Sequence, residues 1–278
     1  MSIAYYNGAF SAPEEVRIPL SDRAIYFGDG VYDAAIGKNG KIYMEEEHIE
    51  RFLKNTKKMG LSIGHTRDTL ASLLHEAVSL SGEVCFFLYF QATRFSNERR
   101  HACTEDLPAN LLITVTKAEP PSEDKRMSLS LYEDKRYLYC DVKTLNLLPS
   151  VLASCDAARR GFDEAVFIRD GIVTECAHSN IAIIKDGELF THPECTKILS
   201  GTARSKMLNT ALSLGVVCHD IPFTEEVLFD ADEVLVTSST KLCRLAERIE
   251  DRRFPRKDGS LGAKICEIMH RDFQKFTE

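Results

Sequence analysis

Residues 163–190 read DEAVFIRDGIVTECAHSNIAIIKDGELF. Two Asp-Gly pairs, Asp170-Gly171 and Asp186-Gly187, each fall between short runs rich in Val, Ile and Phe. Such pairs tolerate the positive φ angles of tight hairpin turns. Strands joined that closely are antiparallel neighbours, so the stretch does not fit the strand–helix alternation of a doubly wound parallel sheet. On its flanks the patterning predicts strands at 127–132, 216–220 and 233–237, with helices near 147–160, 203–214 and 262–276. Helices and hairpins are mixed, and the fold class is α+β, or mixed α/β.

Toward the N-terminus the same logic holds. Apolar pieces at 3–6 and 16–18 read as strands, and 31–36 and 41–44 as a hairpin about Asn39-Gly40. From Glu45 the period becomes helical: Ile49, Phe52, Leu53 and Met59 share a stripe, acids open the segment, lysines close it, and Gly60 stops it. Thr66 caps a second helix through Leu70, Leu73, Leu74 and Ala77 to Gly82, and strand composition returns at 84–93 and 111–117. The paired prolines Pro120-Pro121 give 118–125 linker character. This predicts a small N-terminal domain over 1–117, a linker over 118–125 and a larger domain over 126–278.

The composition narrows the class. The 278 residues carry 35 basic and 42 acidic side chains, a net charge of −7, with 44% apolar residues. An acidic chain with no dense Lys/Arg block argues against nucleic acid as a partner. A start without basic and apolar character, and the lack of any apolar run of about 18 residues, predict a cytoplasmic protein with no membrane partner. Nine cysteines are scattered with no C-x-x-C, which argues against a clustered metal site. In a reducing compartment most are small buried hydrophobes.

Three segments carry polar residues that a plain surface does not require. Lys143, in Lys143-Thr144-Leu145-Asn146-Leu147-Leu148, sits between a strand-like stretch and a helix start, where a partly dry pocket can hold an amine ready to attack carbonyls. Most lysines are solvated, so this one gains meaning only from its companions. Glu175, in Thr174-Glu175-Cys176-Ala177-His178-Ser179-Asn180, is an acid within a hairpin, able to pair with a heterocyclic nitrogen or simply to end a strand. Gly201-Thr202-Ala203-Arg204 opens a helix, where backbone N–H groups and the helix dipole collect an anion, although capping alone also explains a glycine there. The hydroxyl turn Thr237-Ser238-Ser239-Thr240 offers further donors.

Together with F-G-D-G-V-Y at 27–32 and E-H-I-E-R at 47–51, these motifs resemble, in order and spacing over nearly the whole chain, the class IV (fold-type IV) pyridoxal-phosphate aminotransferases. The resemblance implies a cofactor, pyridoxal 5′-phosphate, in a cleft between a small N-terminal and a larger C-terminal domain. By the same resemblance Lys143 holds it as a Schiff base and moves a proton between the substrate Cα and the cofactor C4′. Glu175 faces the pyridine nitrogen. Arg51, the backbone N–H groups of Thr202 and Ala203, and Ser239 hold the phosphate. Leu199 packs on the ring face.

Residues 95–101, Phe95-Ser96-Asn97-Glu98-Arg99-Arg100-His101, bear on the substrate. In an extended chain Arg99 and His101 point to one side and form a clamp for a carboxylate. The resemblance to D-amino-acid aminotransferases implies that Arg99, His101 and Tyr32 trap the substrate α-carboxylate, with Arg99 and His101 supplied by the neighbouring subunit of a homodimer. The expected reaction is a ping-pong transfer from a D-amino acid to 2-oxoglutarate, giving a 2-oxo acid and D-glutamate. No metal takes part. The chain departs from the family pattern at Cys176-Ala177-His178, where a Gly/Ser-rich run is usual, and at Ala203, which replaces a hydroxyl residue. Lys241 after the hydroxyl turn either meets a substrate side-chain carboxylate or is solvated, and solvation is the favoured reading. The rival readings are a branched-chain L-amino-acid aminotransferase, a 4-amino-4-deoxychorismate lyase on the same scaffold, and a cysteine-dependent hydrolase using Cys176 and His178.

Overall fold

The computed structural model describes residues 2–123, 125–255 and 259–278; position 124 of the expected linker lies outside them. The chain forms two compact units. The first contains residues 2–120, Val142–Asn146 and Phe276–Glu278, and the second the described parts of 121–141 and 147–275. The short segment Val142–Asn146, which the sequence assigns to 126–278, groups with the first unit. It is fastened there by backbone bonds: Tyr32 N–H donates to the Lys143 carbonyl at 2.9 Å and Leu145 N–H to the Gly30 carbonyl at 3.1 Å.

In the first unit the elements run β1 (Ile3–Tyr6), β2 (Ala9–Ser11), α1 (Arg23–Phe27), β3 (Gly30–Lys38), β4 (Lys41–Ile42), α2 (Glu45–Lys58), α3 (Arg67–Ser81), β5 (Cys85–Thr93) and β6 (Asn110–Lys117). The strands form one antiparallel sheet in the order β2-β1-β6-β5-β3-β4. The strand expected at 16–18 is not formed. Asn7-Gly8, both at positive φ, turns the chain at once so that Ala9 pairs with Tyr6, and Pro13 then opens a single 3₁₀ turn. Asn39 and Gly40 make the anticipated hairpin with φ of 53° and 77°. Thr66 caps α3 reciprocally with Thr69, as its position predicts.

Alternation along β3 settles which face is which. Val31, Asp33 and Ala35 are fully buried, and the adjacent Tyr32 and Ala34 are half-buried on the opposite face. Ile49 and Phe52 of α2 and Leu70, Leu74, Ala77 and Val78 of α3 share one core with Phe86, Leu88 and Phe90 of β5. The Phe52 and Phe90 rings meet edge-on at 4.8 Å.

The second unit contains β7 (Met127–Glu133), α4 (Leu148–Arg159), β8 (Glu164–Arg169), β9 (Ile172–Cys176), β10 (Asn180–Lys185), β11 (Glu188–Thr191), α5 (Thr202–Ser213), β12 (Cys218–Asp220), α6 (Glu225–Phe229), β13 (Glu233–Ser238), β14 (Leu242–Ile249), β15 (Arg252–Arg253) and α7 (Leu261–Thr277) up to Lys275, the last two residues of that helix belonging to the first unit. Its mixed sheet runs β12-β11-β10-β13-β14-β7-β8-β9, with β15 beside β14. The pairs β11/β12, β14/β7 and β7/β8 are parallel and the rest antiparallel. Both Asp-Gly pairs form the expected turns, Asp170 and Asp186 at φ of 53° and 52°. One sheet face packs Ile181, Ile183, Val234 and Val236 against Phe223 and Leu228. The other packs Ala182, Leu235 and Cys243 against α5 and α7 through Met207, Ile265 and Met269. Among the described residues no helix is long and apolar enough to cross a membrane.

Candidate active site

Lys143 lies in the first unit, on the strap that pairs with the start of β3. The isolated bridge between Val31 and Thr144 and the two backbone bonds above fix its backbone. Gly30 makes the approach feasible, because a Cβ there would stand 2.6 Å from the Ala92 carbonyl oxygen and 2.7 Å from Leu145 Cδ1. Asn146 completes the strap by donating from Nδ2 to the Gly28 carbonyl at 2.9 Å. This explains the glycines of F-G-D-G-V-Y: they seat the lysine segment. The Lys143 ammonium donates to the Tyr32 hydroxyl at 3.3 Å and lies 4.3 Å from the centre of its ring. Tyr32 in turn stacks on Tyr89 at 5.3 Å, and the Tyr89 hydroxyl donates to Gln91 Oε1 at 2.7 Å.

Arg51 is anchored from behind. Its Nε and Nη2 donate to Asp33 Oδ2 and Oδ1, both at 2.8 Å, and His48 Nδ1 lies 2.7 Å from Asp33 Oδ1. Against the cost of full burial, Arg51 and His48 hold the Asp33 carboxyl well below the usual carboxylate range. Arg51 is expected from its motif, whereas the roles of His48 and Asp33 behind it are not. The available signal is the i, i+3 spacing of His48 and Arg51 on α2, which puts both on the face turned to β3.

Arg99 and His101 sit on a loop outside the strands. Both meet one ring: the Arg99 guanidinium lies 5.4 Å from the centre of Phe27, and the His101 ring 5.2 Å from it. Arg100 departs to Glu98, a pair exposed on the surface. Arg23 holds the loop from beneath by donating to the carbonyls of Arg100 and His101 at 2.6 and 3.2 Å.

In the second unit Glu175 is buried on β9. Leu199 N–H and Asn180 Nδ2 each donate to Oε2 at 3.0 Å, and Arg136 Nη1 donates to Oε1 in a short ion pair. Burial pushes the carboxyl up to about 7, against the opposing pull of Arg136 and the Leu199 amide. Arg136 is itself gripped by Asp134 through Nε and Nη2, at 2.9 and 3.0 Å. Sequence reasoning misses Arg136 and Asp134, since they belong to an irregular charged stretch, 133–136, with no periodicity to mark a buried pair. Asn180 Nδ2 also donates to the Leu199 carbonyl at 2.9 Å, tying the segment before α5 to the glutamate. Gly201 must be bare there: a Cβ would stand 2.0 Å from Asn180 Oδ1.

Thr202 and Ala203 form the first turn of α5, where no preceding helical carbonyl is available to their N–H groups. Ser239 lies half-buried in the turn after β13. Thr237 Oγ1, one step before that turn, is buried without a hydrogen-bond partner among the described residues. Two expectations need correction. Lys241 is not solvated: its ammonium donates to Glu164 Oε2 at 2.8 Å and Ser179 Oγ at 3.2 Å, because a fully buried carboxylate draws it in. Cys176 and His178 do not face one another as a reactive pair. Cys176 points into the apolar core with Val166 and Ile181, where burial raises its thiol well above the usual range, whereas the His178 ring lies against Glu164 and Lys241. A buried protonated thiol is a poor nucleophile.

Comparison with known proteins places these features in a family. The family described as amino-transferase class IV matches residues 30–249. A D-alanine aminotransferase of Staphylococcus epidermidis is 32% identical over 281 residues, covering 100% of this chain and 99% of its own. One from Listeria innocua is 36% identical over 231 residues, covering 81% and 80%. A branched-chain aminotransferase from Thermoproteus uzoniensis superposes with a TM-score of 0.91 at 23% identity, over 99% of this chain and 96% of that one, a likeness of fold. With the family match spanning most of its length, the chain belongs to the class IV aminotransferases and is a pyridoxal-phosphate-dependent aminotransferase.

Proposed function

We propose that the enzyme transaminates D-amino acids, passing the amino group to 2-oxoglutarate to give D-glutamate. The observation that carries the reading is the pairing of Arg99 with His101 beside one ring, that of Phe27, two donors held together for a carboxylate, with Lys143 within hydrogen-bond reach of Tyr32. The names of the Staphylococcus and Listeria relatives support the D-specific choice.

The donor sets suit the cofactor. A buried carboxylate at Glu175 matches a protonated ring nitrogen, and a guanidinium at Arg51, helix-terminal amides at Thr202 and Ala203 and hydroxyls about Ser239 match a phosphate dianion. The unsatisfied Thr237 hydroxyl fits a group that brings its own acceptors. Pyridoxal 5′-phosphate, when bound, supplies an electrophilic carbon and a ring that accepts electrons as the Cα–H bond breaks. Lys143 would hold the cofactor and, once released, would carry the proton of the substrate Cα on Nζ, the transfer that interconverts amino and oxo acid. Tyr32 orients that amine through its hydroxyl. Glu175 accepts the ring N–H, with Arg136 and Asn180 holding the carboxylate in place. Arg51 reaches the phosphate from its Asp33 anchor. Leu199 covers the ring. Arg99 and His101 clamp the α-carboxylate of a substrate bound to a second copy of the chain.

A homodimer of cytoplasmic location completes this reading. Leu147, Leu148, Val151 and Leu152 at the start of α4 are exposed apolar side chains of the kind a second copy covers. Replacing Lys143 by Ala tests the assignment. The variant is expected to lose the visible absorbance of lysine-bound cofactor together with turnover; a yellow, active K143A enzyme overturns it. Sustained turnover of D-alanine is also expected to require a 2-oxo acid acceptor, with no more than one pyruvate per active site released without it; catalytic pyruvate release from 4-amino-4-deoxychorismate with no acceptor would indicate lyase chemistry instead.

A further inference from the structure

Glu164 opens β8 with no exposed surface, yet it is a carboxylate that the mechanism does not use. Oε1 accepts the His178 backbone N–H at 2.9 Å and lies 3.2 Å from His178 Nδ1. Oε2 accepts from Ser179 Oγ at 3.0 Å and from Lys241 Nζ at 2.8 Å. The Lys241 ammonium also reaches Ser179 Oγ at 3.2 Å and His178 Nε2 at 2.9 Å. These bonds join two turns that the sheet already sets side by side. β10 begins at Asn180, β13 ends at Ser238, and Asn180 pairs with Thr237. The first turn, before β10, bears His178 and Ser179; the second, after β13, bears Ser239, Thr240 and Lys241. Within the second turn the Lys241 backbone N–H donates to Ser238 Oγ at 3.2 Å.

A buried ion pair of this kind is expensive, since apolar residues of the same volume hold a fold as well or better. Its bonds go to the ends of two hydroxyl-bearing turns, where a small rotation would move Ser239. We propose that Glu164 and Lys241 are positioning residues that fix the hydroxyl turn 238–240 for the cofactor phosphate. The inference rests on the reading of Ser239 as a phosphate donor.

The test compares binding of pyridoxal 5′-phosphate and of phosphate-free pyridoxal to the full-length chain stripped of cofactor, followed by the visible absorbance of the bound aldehyde. Glu164→Gln and Lys241→Met are each expected to weaken pyridoxal 5′-phosphate binding about tenfold and to leave pyridoxal binding within about twofold. The double variant is expected to lose little more than either single one, because the two side chains act as one tie. A simple charge effect predicts opposite signs, E164Q tightening and K241M weakening phosphate binding, and that outcome overturns the proposal. Equal losses for both aldehydes overturn it as well, since they report general damage. Lys241 lies at the rim of the cluster and K241M keeps the apolar stem, so this variant remains informative if E164Q fails to fold. Ser239→Ala separates the two readings. Phosphate preference lost in S239A but kept in E164Q and K241M overturns the tie alone; preference kept in S239A overturns the reading of Ser239 on which it rests.

Discussion

Glu175 shows how burial and partners divide the control of one proton. Its carboxyl stands at about 7 rather than 4.5 because burial disfavours the charge more than Arg136 and the Leu199 amide restore it. A carboxyl raised in the folded state binds its proton more tightly there than in the unfolded chain. Its contribution to stability is therefore complete below about pH 4.5 and is lost as pH rises to about 7, a change on the order of 3 kcal/mol. Without cofactor, the native chain is expected to lose stability relative to Glu175→Gln across that window, as measured by denaturant melts at pH 4.5, 6 and 7.5. A pH-independent difference contradicts the shift. With cofactor, E175Q is expected to retain binding while kcat falls roughly a hundredfold or more, because an amide does not carry the charge that stabilises a protonated ring. The motif around Glu175 and the E-H-I-E-R segment are legible in sequence since their residues are contiguous. Arg136 and Asp33 are not, because each is brought in from 18 or more positions away by pairing that no local period encodes.

At the scale of elements, the legible features are those with local causes. Asp-Gly and Asn-Gly turns, the Thr66 cap and the stripes of α2 and α3 form where their patterns place them. β14 escapes notice because Arg244, Glu247 and Arg248 break the apolar run of LCRLAERI, although Cys243, Ala246 and Ile249 are fully buried. The strand expected at 16–18 fails for the opposite reason: its apolar residues lack a partner once β2 has taken the edge of the sheet. The Lys143 strap is the element most exposed to a single change. Gly30→Ala forces a methyl against the Ala92 carbonyl and Leu145, and is expected to cost about 1–3 kcal/mol and to lower kcat by displacing the strap. Thr66→Ala, which removes a cap bonded to Thr69 in the first turn of α3, is expected to cost about 1 kcal/mol in thermal melts with kcat unchanged. Together the pair separates damage to the site from damage to stability.

At the scale of the whole molecule, each unit carries a different part of the proposed chemistry. Lys143, Tyr32 and Arg51 belong to the first, and Glu175, the α5 N-terminus and Ser239 to the second. The linker prolines make a boundary visible, but the grouping of Val142–Asn146 with the first unit depends on long-range backbone pairing and leaves no trace in composition. The proposed dimer carries its own test: Leu148→Glu puts a charge on the exposed apolar start of α4, and sedimentation is expected to show monomers with little transaminase activity. A dimeric, active L148E enzyme argues that this surface is not the interface. The most direct measurement is the choice of substrate hand. Purified enzyme is incubated with 2-oxoglutarate and either D-alanine or the L-amino acids leucine and valine, and the products are followed. The account predicts pyruvate and D-glutamate from D-alanine and little turnover of the L-amino acids; no pyruvate from D-alanine alongside brisk reaction of L-leucine or L-valine would contradict it.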